Sequence, residues 1–153
     1  MSQDPQPTAA LESAARRRRE LREALVSFEG ALSSPLRDRE TWRRMVLERL
    51  DVLRAAFEVH VRETESEGGL YDEMAELAPH VSGKASRLRE DHAPISGLIG
   101  DAYRGLAAPF PADADLDQLR DDLQRLMGRI VRHRQQGADL VWEAYAVDIG
   151  SAG

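Results

Sequence analysis

The sequence predicts an all-α fold, an antiparallel up-down-up-down four-helix bundle, on three observations. Apolar residues recur at alternating steps of three and four along four long segments. No segment alternates with the period of two that a half-buried strand requires. The connections are short compared with the segments they join, which favours antiparallel neighbours.

The elements follow in chain order. Residues 1–7 are polar, carry Pro5 and Pro7, and are expected to form a disordered lead-in. Thr8 is placed to cap a first helix that runs to about Leu32 and stops at Ser33-Ser34-Pro35. Its apolar seam is Leu11, Ala14, Leu21, Leu25, Phe28 and Leu32, interrupted by Arg18. A second helix is expected from about Asp38 to Glu67, ended by Gly68-Gly69. Its seam is Val46, Leu50, Leu53 and Phe57, continued by His60 and Thr64. Leu70 to Ala78 suits a short helix within a connection. Pro79 restarts the chain, and a third long helix is expected from about Val81 to Arg104. Its seam is Ala85, Leu88, Ile95, Ile99 and Ala102, interrupted by His92. Pro94 lies inside it and is expected to kink it. Gly105 to Ala114, with Pro109 and Pro111, is expected to be a loop. The fourth long helix is expected from about Asp115 to Val147. Its seam is Leu116, Leu119, Leu123, Leu126, Ile130 and Leu140, interrupted by His133 and Gly137.

Composition bounds the function. A chain of 153 residues suits one domain, assigned to residues 8–150. The net charge of −6 argues against nucleic acid as a partner. The absence of cysteine excludes disulfides, thiolate metal sites and a cysteine nucleophile. No apolar run reaches membrane-span length and no secretory leader is evident, so a cytoplasmic location without membrane contact is expected. Phosphate-loop, nucleophile and His-Glu-x-x-His motifs are also missing.

The chemistry lies where the seams are interrupted. Three of the four histidines, His60, His92 and His133, occupy seam positions on three different helices. At 1.5 Å per residue they fall in one layer near one end of the bundle, together with Arg18. Converging imidazoles are how helical bundles build iron and zinc sites; the plainer alternative is a set of core histidines hydrogen-bonded to their neighbours. Iron sites of this kind also use carboxylates. One turn past His60 stands Thr64, and one turn past His133 stands Gly137. Glu63 and Glu65 flank the seam and suit a solvated face. His80 is expected to be exposed, and Trp42 and Trp142 to be packing or surface anchors.

The stretches His60-Val61-Arg62-Glu63-Thr64-Glu65, Leu88-Arg89-Glu90-Asp91-His92 and His133-Arg134-Gln135-Gln136-Gly137, closing on Asp148-Ile149-Gly150, carry a resemblance. In order and spacing the chain resembles bacterial hemerythrin-like (HHE cation-binding) proteins over about residues 16–150. The resemblance implies a bundle holding non-heme iron, with His60, His92 and His133 at ligand positions and Glu65 retained beside them. It also implies that Arg18, Thr64 and Gly137 stand where ligands have been lost. The expectation is therefore a depleted di-iron site, with Arg18 supplying the missing positive charge and pairing with Glu65. The function expected is a binding or regulatory module that binds metal weakly. Two alternatives stay open: a non-heme iron protein for oxygen, peroxide or nitric oxide sensing or detoxification, and a helical adaptor without a small-molecule role. No enzymatic activity is assigned, and the protein partner and oligomeric state are left open.

Overall fold

A computed structural model of the chain describes residues 8–107 and 113–151, with 113–114 and 147–151 described by backbone alone. The expected lead-in (1–7) and most of the proline-rich loop lie outside the described residues. Among the described residues the fold is all-α, with no strand. Four long helices, α1 (Ala9–Ser33), α2 (Arg39–Glu65), α4 (Ser82–Leu106) and α5 (Asp113–Ser151), are joined by a short α3 (Leu70–Leu77) and a 3-10 turn at Pro79–Val81.

Local chemistry sets the ends. The Thr8 hydroxyl accepts from Leu11 N at 3.0 Å and so caps α1. Asp38 does the same for α2, accepting from Glu40 N. Helix α2 ends two residues earlier than expected, at Glu65. Ser66 is already extended, and Gly68 takes φ 72°, the left-handed region where an added Cβ would be strained. The third long helix starts at Ser82, one residue later than expected, because Pro79–Val81 forms the tighter turn. Helix α4 continues unbroken through Pro94, which is exposed. Helix α5 is longer than expected at both ends, so Asp148-Ile149-Gly150 belongs to the helix instead of following it.

The seams form the interior. Every apolar seam residue named above is buried except Leu11, which is partly buried against the smaller cluster, and together they make two clusters. The larger joins α1, α2, the second half of α4 and the first half of α5 around Phe28, Leu53, Ile95 and Leu123. The smaller joins the start of α1, α3, the start of α4 and the end of α5 around Tyr71, Met74, Leu88 and Leu140. Trp42 is enclosed at 1% exposure, whereas Trp142 is 77% exposed. Polar ties close the margins. Arg43 Nε donates to the Leu106 carbonyl at 2.6 Å, and Ser13 donates to Glu63 at 2.7 Å. No helix among the described residues is long and apolar enough to cross a membrane.

Candidate metal centre

The boundary between the two apolar clusters is a polar layer. His60 sits one turn beyond Phe57 on α2, His92 lies between Leu88 and Ile95 on α4, and His133 follows Ile130 on α5. All three are buried, His133 to 1% exposure. Phe57 forms one wall, with its ring centroid 5.9, 5.7 and 6.3 Å from those of His60, His92 and His133. The imidazoles meet through their Nε2 atoms: His60 to His133 at 3.0 Å and His92 to His133 at 3.2 Å. One ligand atom from each lies within 4.8 Å of the others.

The opposite ring nitrogens fix the tautomers. His133 Nδ1 is 3.0 Å from Asp91 Oδ2, and His92 Nδ1 is 3.1 Å from Glu65 Oε1. A carboxylate only accepts, so both Nδ1 atoms carry the hydrogen and both Nε2 atoms present lone pairs. Two buried lone pairs thus converge at 3.2 Å, and each calls for a donor or a cation. Tyr71 sits 3.2 Å from His92 Nε2 and can donate to it, and His60 Nε2 can donate to His133. Those two bonds can satisfy both lone pairs together in the metal-free protein, and they leave the three nitrogens converging.

A proton is a poor cation for this place. Burial, and then the neighbouring His133, push His60 down to about 3. Burial also lowers His92 and His133, although Glu65 and Asp91 respectively oppose the shift. Burial alone would raise Asp91, but hydrogen bonds from Arg129 and His133 outweigh it and hold the group below its ordinary value. Arg129 Nε donates to Asp91 Oδ1 at 3.2 Å. The chain Arg129–Asp91–His133 therefore orients the imidazole from behind, as carboxylate partners do behind metal-bound histidines.

The positions singled out from sequence fare differently. His60, His92 and His133 come together. Glu65 stands behind His92 on its Nδ1 side, so its place is that of an orienting partner and not of a ligand converging with the Nε2 atoms. It does not pair with Arg18, as the sequence suggested. Arg18 is half-buried and lines the cavity beside His60 and His133. Thr64 is buried, and its hydroxyl donates to the His60 carbonyl at 2.8 Å. Gly137 lines the same cavity, and a Cβ built there meets nothing within 4 Å. His80 is exposed, 3.6 Å from Glu143. Sequence reasoning missed Asp91, Tyr71 and Arg129. The Asp91-His92 pair was a usable signal for the first, since a carboxylate beside a seam histidine is within reach of the neighbouring helix.

The donor set can be tested against a metal. Two imidazole nitrogens about 2.0–2.1 Å from one ion lie roughly 2.9–3.4 Å apart for angles between octahedral and tetrahedral. The observed 3.0 and 3.2 Å separations fall in that range. A cavity of about 20 Å³, bounded by His60, His133, Tyr71, Thr64 and Gly137, has room for one water-sized ligand. A di-iron pair does not fit these residues. Thr64 and Gly137 offer no carboxylate, and the three converging nitrogens suit one ion. Comparison of the chain with protein-family models, curated proteins and solved structures gives no match.

Proposed function

We propose that the chain is a hemerythrin-like up-down-up-down bundle that has exchanged a two-metal site for a single-metal one. It holds one divalent transition-metal ion on His60, His92 and His133 and acts as a binding or regulatory module. The observation that carries the reading is the pair of Nε2 lone pairs turned toward each other by Asp91 and Glu65. Three neutral imidazoles suit Zn²⁺ or Fe²⁺, and three protein ligands beside a one-water cavity match the open coordination of reactive metal sites. Such an ion supplies a positive charge that polarises whatever ligand occupies the cavity. The bundle arrangement is supported by the three-and-four seams and by polar ties that pair the end of α4 with the start of α2.

Calorimetric titration of metal-stripped protein with Zn²⁺ tests the reading. The expected result is saturable binding at one ion per chain, lost in both His92→Ala and His133→Ala. Folded protein that takes up no Zn²⁺ or Fe²⁺ would refute it, and uptake of two irons per chain would restore the oxygen-chemistry alternative.

A further inference from the structure

The arginines on the surface shared by α1 and α5 are left unexplained by the metal reading. Arg18, Arg19 and Arg22 on α1 and Arg134 on α5 line a groove of about 270 Å³, together with Gln135 and Ala138. No carboxylate lines it. Some other cations of this acidic chain meet carboxylates, among them Arg17 with Glu20, Lys84 with Glu143 and Arg129 with Asp91. Among the described residues, Arg18, Arg22 and Arg134 have no carboxylate at salt-bridge distance. Arg134 Nε is buried without a hydrogen-bond partner, and its Nη2 reaches only the Arg18 carbonyl at 3.5 Å.

An uncompensated cluster of like charges with an orphan buried donor costs stability. A multivalent oxyanion in the groove removes the first of these costs. Guanidinium forks match its oxygens in pairs, and its charge offsets the mutual repulsion. The chain as a whole carries −6, so its average field repels anions, and attraction has to come from this groove. We propose that the α1–α5 groove is a binding site for a phosphate-class oxyanion, held by Arg18, Arg22 and Arg134. Arg18 and Arg134 also line the small cavity beside His60 and His133, so the anion rests on the outer side of the same two guanidiniums.

The test is titration of the metal-free full-length chain with inorganic phosphate, followed by calorimetry and thermal unfolding, against sodium chloride at equal ionic strength. A saturable rise in melting temperature specific to phosphate is expected. Arg22→Gln and Arg134→Gln should each weaken phosphate binding by about tenfold or more, and Arg49→Gln, on the exposed side of α2, should leave it unchanged. Arg22 is exposed, so its variant keeps the fold and decides the matter should Arg134→Gln unfold. A shift that chloride reproduces at equal ionic strength, or phosphate binding that Arg22→Gln leaves intact, would overturn the proposal.

Discussion

The imidazoles are controlled by the residues behind them. Asp91 selects the His133 tautomer and is itself held by Arg129. Asp91→Asn offers the ring an amide that can donate as well as accept, so the tautomer is no longer fixed. The expected outcome is metal affinity lowered about 10–100-fold with the helical spectrum unchanged, measured by competition with a chromophoric chelator. The same residues set the acid response of the metal-free protein. The unfolded chain protonates its histidines near 6.5, whereas burial holds all three below that in the fold, His60 at about 3. Protonation therefore favours unfolding. The stability contribution is complete above about pH 6.5 and is lost as the pH falls toward 3, at up to about 1.4 kcal/mol per pH unit for each group. Urea midpoints measured across that range should fall steadily; a flat profile between about pH 7 and 5 would show that the histidines are not buried neutral. The histidines were legible in the sequence because each interrupts an apolar seam. Glu65 was singled out too, but as a ligand or a partner of Arg18; its place behind His92, like that of Asp91 behind His133, depends on the rotation of helices that the sequence leaves open.

At the scale of elements, the three-and-four spacing was enough to find all four long helices, since it is the condition for burying one face. Their ends were less legible. The Gly68-Gly69 stop acts through Gly68's positive φ, and the chain has already left the helix at Ser66. Gly68→Ala should therefore cost about 1 kcal/mol, read from denaturant unfolding. Gly137 is the opposite case. It lies inside α5 with open space at its Cβ position, so Gly137→Ala should stabilise the protein by roughly 0.5–1 kcal/mol by the same measurement. Pro94 lies inside α4, which is helical on both sides of it, and its exposed position leaves the ring outside the packed interior.

For the whole molecule, the histidine layer lies between two apolar clusters of the helical interior. One ion bound to α2, α4 and α5 ties both clusters to a common point, so binding should raise the melting temperature in proportion to the logarithm of free metal. The all-α class and the packing of one long interior were legible from composition and periodicity, because they depend on sums over many residues. The occupancy of the layer depends on a few ångströms between ring nitrogens, which no spacing rule supplies. The most direct measurement of the central claim is X-ray absorption at the metal edge on protein loaded with one equivalent of Zn²⁺. One zinc with three imidazole nitrogens at about 2.0–2.1 Å and one further light ligand is expected, with loss of that signature in His133→Ala. Zinc that shows no imidazole coordination, or that binds the His133→Ala variant equally well, would contradict it.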